Sequence, residues 1–206
     1  MTDEPKEDCL REVQAFISRS VSQYNLDIKI TYYLTSIYDH SIFDAISKVV
    51  QKLIPQLPTL ALMLNHLIEN CMMEKSFLFD VVSRIYVATD VNPVHMATYE
   101  LCCDMIDLAI DVSWIYGIRD EAGKESDRLA YDDHSASIIR LSNGTVLYLR
   151  QVGSYLALVC LMQAEHFNNK EGLIEYNVSC FRDTLAQVFD RPSYRKWLAQ
   201  RAANEA

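Results

Sequence analysis

The hydrophobic pattern of the first part of the chain predicts a helix and then a strand. Six apolar residues from Leu10 to Tyr24 recur at helical spacing, which is typical of one helical face. Asp8 is suited to cap the start of this helix. The segment IKITYYL at 28–34 is rich in β-branched and aromatic residues and predicts a strand.

A second helix follows, and prolines end it. Ser41 and Asp44 form an S-x-x-D capping box, the pattern expected where a helix begins. Two prolines in PQLP at 55–58 stop the apolar pattern and indicate a boundary between domains. We therefore divide the chain into three parts: an N-terminal domain at 1–54, a second domain at 55–190 and a tail at 191–206.

The second part of the chain predicts a sheet flanked by helices. Asn143-Gly144 is a strong hairpin signal, and Gly153-Ser154 marks another turn. Helices are predicted from Thr59, from Pro93 to Tyr116 and from about Gly172, with a polar loop at 119–134 and strands at 74–80, 84–90, 135–141, 145–152 and 155–162. This order predicts an α+β domain with a five-stranded antiparallel sheet.

The long middle helix carries more apolar residues than one buried face requires. Its four acidic residues, from Glu100 to Asp111, share one narrow stripe, and almost all the others are apolar. Two interpretations stay open: a deeply buried helix, or one that contacts its own sheet and a second chain. For the second, the candidate interface residues on this helix and on the strand after the loop are Met105, Ile106, Leu108, Val112, Ile138, Ile139 and Leu141.

Composition and charge disfavour several kinds of partner. The 206 residues carry a formal net charge of −9, which disfavours nucleic acid and anionic lipid, since both need a basic surface. The apolar run from Leu156 to Met162 is too short to span a bilayer, so we expect no direct membrane insertion. The six cysteines form no C-x-x-C pair and are expected to be reduced, with no metal site.

Residues typical of hydrolases occur twice in a row but do not predict catalysis. Asp39-His40-Ser41 and Asp133-His134-Ser135 contain the residue types of a catalytic triad. Triad members come together from distant positions, whereas three consecutive residues point in different directions. Turn and capping roles are the expected ones, and no catalytic residue is predicted. Glycine-rich phosphate-binding motifs are absent from the sequence.

Long segments of the chain are similar to one known protein family. The similar segments begin with YYLTSIYDHSIFDAISKVVQKLIPQLPTL at 32–60 and include EKSFLFDVVSRIYVATDVNPV at 74–94 and YELCCDMIDLAIDVSWIYG at 99–117. The resemblance continues through TVLYLRQV, LALVCLM and GLIEYNVSCFR to residue 182. These segments resemble Rag GTPases of the C/D subclass, and the resemblance covers nearly the whole chain from about residue 10.

The resemblance implies a fold and a set of partners. Rag proteins join a Ras-like G domain to a roadblock domain, whose order of elements is the one predicted above for 59–190. A C/D-type chain pairs with an A/B-type Rag GTPase through a continuous sheet. The heterodimer signals amino-acid sufficiency to the TOR complex at the lysosome, where a roadblock-containing scaffold recruits it from the cytoplasm.

The resemblance also identifies what this sequence lacks. Residues 8–54 resemble only the last helix, strand and helix of a G domain, so the phosphate-binding loop and both switch regions are missing. Of the family's nucleotide site, Thr35, Ser36 and Ile37 match the loop that approaches the guanine base. Full-length members bind GTP or GDP with Mg²⁺, but we expect no cofactor and no GTP hydrolysis for this chain alone. The alternative is a fragment of a GTP-hydrolysing protein that needs the missing segments.

Overall fold

The structure is a computed structural model, and it describes residues 4–24, 28–116, 131–132 and 134–190. Contacts along the chain divide it into two compact units, 1–45 and 46–206. This division falls inside the second helix, whereas the sequence placed the boundary after residue 54. The three-part domain assignment stays a prediction, and its tail at 191–206 lies outside the described residues.

The first unit contains one complete helix, the start of another, and an irregular segment between them. Helix α1 spans Glu4–Gln23, so it begins earlier than the predicted cap at Asp8. The predicted strand at 28–34 is wrong: this segment has no regular secondary structure. Strand propensity reflects packing against neighbouring strands, and the described part of this unit offers the segment none to pair with.

Helix α2 spans Ser41–Leu53, as predicted, but the polar contacts at its start differ from the expected capping box. The Asp39 carboxylate accepts the Ser41 backbone N–H at 2.9 Å. The Ser41 hydroxyl accepts the backbone N–H of Ser36 at 2.8 Å. An Asp whose side chain bonds the backbone two residues on forms an Asx-turn, which directs the chain into the helix.

The second unit contains the predicted helices and strands with shifted ends. Its elements are α3 Leu57–Cys71, β1 Lys75–Asp80, β2 Tyr86–Thr89, α4 Met96–Tyr116, β3 Ala136–Arg140, β4 Thr145–Gln151, β5 Leu156–Gln163 and α5 Ala164–Asp190. Helix α3 begins before the expected cap at Thr59, because Pro58 is favoured in a first turn. Helix α5 begins before Gly172 and contains a kink at Lys170.

The sheet lies between two helical layers. Its order is β2-β1-β5-β4-β3, and every neighbouring pair is antiparallel. One face packs against α3 and α5 through Leu78, Tyr148 and the other residues of the main core. On the opposite face, Tyr99 of α4 stacks with Phe79 at a ring-centroid distance of 5.7 Å. The predicted α+β class and five-stranded antiparallel sheet are confirmed.

Candidate functional site

Strand β3 forms one edge of the sheet and presents unpaired backbone groups along its outer side. Its register places Ala136, Ile138 and Arg140 opposite Arg150, Tyr148 and Val146 of β4. The ladder bond from the Leu141 N–H to the Thr145 carbonyl, at 2.9 Å, shows that these are non-hydrogen-bonded pairs. Three N–H and three C=O groups therefore point away from β4, and β3 has no second strand neighbour in the described part of the chain.

The opposite edge of the sheet, strand β2, is covered instead. Tyr86 lies opposite Phe79, and the ladder bond from the Asp80 N–H to the Ile85 carbonyl turns both backbone groups of Tyr86 outward. The Ser47 hydroxyl accepts the Tyr86 N–H at 3.1 Å, and the Gln51 amide donates to the Tyr86 carbonyl at 3.4 Å. Helix α2 therefore occupies this position on the edge.

Helix α4 is buried along its first half and exposed along its second. The buried residues of the helix all lie between Tyr99 and Ile106. Beyond them, Leu108 is 52% exposed and Val112 is 44% exposed, and three large residues at the end of the helix are more exposed still: Trp114, Ile115 and Tyr116. An apolar surface of this kind usually contacts another molecule.

A groove of about 410 Å³ lies between the second half of α4 and the beginning of β3. Leu108 and Val112 line it from the helix, and Ser137 and Leu149 line it from the sheet. Tyr131 supports one end: its hydroxyl donates to the Leu156 carbonyl at 2.7 Å. The groove thus adjoins the open edge of β3, so that one partner can contact both.

The structure divides the predicted interface residues between the core and the surface. Met105 and Ile106 are buried within this chain, so their placement on an exposed interface is corrected: they pack between α4 and the sheet. Leu108 and Val112 remain on the surface.

Alternate positions of a strand point to opposite faces, so Ile138 lies on the α5 side with Arg140, whereas Ile139 lies on the α4 side. Ile139 and Leu141 are half-buried.

A polar pocket of about 240 Å³ lies on the α5 side, near the beginning of β3. Arg150 pairs with Glu175, which also accepts the Tyr148 hydroxyl at 3.0 Å. Burial, together with the adjacent Glu175 carboxylate, raises the pKa of Tyr148, so the phenol stays protonated and keeps donating. Contacts inside the chain thus occupy the charged side chain of β4, Arg150.

The residues that match a guanine loop lie before α2. Thr35 and Ile37 are exposed, and Ser36 is half-buried. The Ser36 hydroxyl accepts the Tyr38 backbone N–H at 3.1 Å, which stabilises the turn. These contacts serve the local backbone, and nucleotide binding by the three residues stays a prediction.

The two Asp-His-Ser runs have backbone roles where they are described. The first contains the Asp39 turn at the start of α2. In the second, Asp133 lies outside the described residues, and Asp132 accepts the His134 backbone N–H at 3.0 Å. The Ser135 hydroxyl also donates to Asp132, at 3.2 Å. These bonds form a turn that leads into β3.

A buried ion pair joins the first strand to the segment after β2. The Lys75 ammonium lies 3.1 Å from the Asp90 carboxylate, and both side chains are almost fully buried. Asp90 also accepts the backbone N–H groups of Ser76 at 2.8 Å and Asn92 at 2.7 Å. The charge is therefore fully hydrogen-bonded, as a buried carboxylate requires.

The described residues contain neither a metal-binding cluster nor a membrane-spanning helix. No group of three or more His, Cys, Asp or Glu residues among them is arranged to hold a metal ion. Within that same part of the chain, no helix has the length and apolar character needed to cross a membrane.

Solved structures share this fold at low sequence identity. A structure described as Myxococcus xanthus MglB aligns with 66% of this chain and 92% of its own, at TM-score 0.50 and 14% identity. A roadblock/LC7 domain from Streptomyces avermitilis aligns with 64% of this chain and 98% of its own, at TM-score 0.43 and 13% identity. The likeness to the Myxococcus xanthus structure shows the fold alone, a five-stranded antiparallel sheet with helices, which is the arrangement that the resemblance to a roadblock domain implied.

Protein sequences give a closer relationship. Ras-related GTP-binding protein C of Mus musculus is 52% identical over 92% of this chain and 47% of its own length. The GTP-binding protein gtr2 of Schizosaccharomyces pombe is 46% identical over 92% of this chain and 60% of its own. The chain thus spans about half the length of the curated relatives it matches. The model of the Gtr1/RagA G protein conserved region matches residues 1–106. The chain therefore belongs to the Gtr1/RagA G protein family, and within it is similar to the C/D-type members.

Proposed function

We propose that this chain is a heterodimerisation module of a Rag C/D-type GTPase and that it also binds a scaffold. The open edge of β3 carries the proposal. Three donors and three acceptors point outward there, and an added strand satisfies all of them. An unprotected edge of this kind otherwise promotes aggregation.

The exposed half of α4 supports the same partner surface. Leu108 and Val112 border the groove beside β3, so a chain that adds a strand to the edge also covers apolar side chains. Such pairing gives main-chain hydrogen bonds for affinity and side-chain contacts for specificity. The proposed partner is an A/B-type Rag GTPase, because the family resemblance implies a pair of unlike chains.

The resemblance also suggests the cellular role. We propose that the heterodimer signals amino-acid sufficiency to the TOR complex. A roadblock-containing scaffold recruits it from the cytoplasm to the lysosomal surface. The net charge of −9 favours recruitment through a protein over direct binding to anionic lipid.

A second candidate function concerns the whole protein to which this sequence corresponds. The relatives are named as GTP-binding proteins, and this chain spans about half of their length. We propose that nucleotide binding and hydrolysis, with GTP, GDP and Mg²⁺, depend on the segments that the family has and this sequence lacks. Thr35, Ser36 and Ile37 then contribute only to the guanine loop.

Co-expression with an A/B-type partner tests the proposal. The complex is separated by size-exclusion chromatography with light scattering, and its bound nucleotide is measured. A stable one-to-one complex is expected. A chain that elutes alone under these conditions contradicts the heterodimer. Nucleotide bound to the chain when it is purified without a partner contradicts the proposal that nucleotide binding depends on the missing segments.

A further inference from the structure

We propose that the second half of α2, residues 46–53, guards the β2 edge, so that strands add to this sheet only at β3. The inference rests on the proposed function, because it limits the number of partners at the site described there. It concerns the valence of the assembly: the sheet accepts one added strand rather than one at each end.

The guard consists of two polar side chains on one helix face. Ser47 and Gln51 are four residues apart, so they lie side by side on α2. They bond the N–H and the C=O of the same residue, Tyr86, at 3.1 and 3.4 Å. These are the two groups that another strand would use at this position. The helix therefore supplies the hydrogen-bond acceptor and donor that a neighbouring strand would otherwise supply.

Burial makes the guard effective. Ser47 and Tyr86 are almost completely inaccessible to solvent, so an approaching chain has no access to the Tyr86 backbone. Strand β2 has only four residues, which leaves little edge beyond the covered position. Two residues after the end of β2, the Asn65 side chain of α3 accepts the Val91 backbone N–H at 2.9 Å. Short edge strands covered by a helix are the usual protection against edge-to-edge association.

The two edges of the sheet differ, and this difference determines where a partner strand can be added. At β3, outward groups on three residues have no neighbouring strand in the described part of the chain. A sheet with two open edges adds chains at both ends and grows without limit. A sheet with one guarded edge stops after a single partner. When the guard is removed, the expected occupant of the β2 edge is the β2 strand of a second copy of this chain.

The test is the double variant Ser47→Ala/Gln51→Leu in the full chain, studied by amide hydrogen exchange and light scattering. The Tyr86 amide is expected to exchange about tenfold faster or more, since it loses its acceptor. The measured mass should rise with concentration above that of the wild type. The matched control is Gln14→Leu/Ser18→Ala, the same two substitutions four residues apart on α1, and it should keep the wild-type mass.

Two outcomes overturn the proposal: unchanged Tyr86 exchange, or faster exchange with the wild-type mass at every concentration. Slow exchange at Tyr148, in the sheet interior, reports that the variant is folded. If the double variant does not fold, the single variant Ser47→Ala decides in the same way, because it removes only the acceptor of the Tyr86 N–H. Adding Ile138→Pro, which blocks β3, separates this inference from the proposed function. Self-association that persists in that background comes from β2.

Discussion

Ile138 of β3 lies directly opposite Tyr148 of β4, in a pair whose backbone groups are not bonded to each other. The N–H of Ile138 therefore points to the open edge. Ile138→Pro removes this outward donor without removing a ladder bond, since proline is tolerated on edge strands. We expect the chain to stay folded and its affinity for an A/B-type partner to fall at least about tenfold. Isothermal titration calorimetry and circular dichroism measure the two effects.

Two further variants of this strand show whether a loss of affinity comes from the missing N–H, from the missing side chain or from unfolding. Ile138→Ala keeps the N–H and should retain most of the affinity. Ile139→Pro removes an N–H that faces β4, so it should unfold the edge strand or the whole sheet. Wild-type affinity of the folded Ile138→Pro variant would contradict strand addition at β3.

The exposed half of α4 gives a second prediction. Leu108→Asp places a charge in the groove beside β3, and we expect at least about a tenfold loss of partner affinity. The matched control is Leu62→Asp on α3, where the leucine is 55% exposed compared with 52% for Leu108. Pull-down with the A/B-type partner measures both. Equal binding by the two variants excludes this groove from the interface. Ile106 is unsuitable for the test because it is fully buried.

The ion pair between Lys75 and Asp90 predicts unequal effects of its two substitutions. Asp90→Asn leaves a buried ammonium without its counter-ion, and the free energy of unfolding should fall by about 3 kcal/mol. Lys75→Met should destabilise less, because the Ser76 and Asn92 amides still bond the Asp90 carboxylate. Urea denaturation of both variants measures the difference. A larger loss for Lys75→Met would show that the backbone donors do not stabilise that carboxylate.

The cysteines predict a reactivity pattern. Cys9 and Cys180 are exposed, and the other four are buried. Burial raises the pKa of Cys103 to about 11 and also raises the pKa of Cys102. At pH 8, two thiols of the native chain should therefore react quickly with Ellman's reagent, and all six should react after denaturation. Three or more fast thiols in the native chain would contradict the burial of this group.

The sequence predicted the elements that have strong local signals. Asn143-Gly144 marked the turn between β3 and β4, and Gly144 adopts a φ of 84°, a left-handed conformation that glycine allows at little cost. Residues 28–34 were misassigned because their local signal was not sufficient to form a strand. Their composition suits a strand, but a strand forms only where another strand pairs with it. Pairing partners are a property of the tertiary structure, which one segment cannot reveal.

The candidate site was only partly predictable. The excess of apolar residues on α4 left open whether the helix is deeply buried or partly exposed, and the sequence did not show that burial changes along the length of the helix. Met105 and Ile106 were therefore grouped with Leu108 and Val112, although only the second pair is exposed. The backbone groups of β3 and the Ser47–Tyr86 contact depend on register and packing, and no side-chain pattern signals them.

Amide hydrogen exchange of β3, measured with and without an A/B-type partner, tests strand addition most directly. Ala136, Ile138 and Arg140 have outward amides, whereas those of Ser137 and Ile139 face β4. Binding should slow exchange strongly at the three outward positions and change it little at the two inward ones. Unchanged exchange at Ile138 and Arg140 in a chain that is saturated with partner would contradict the account.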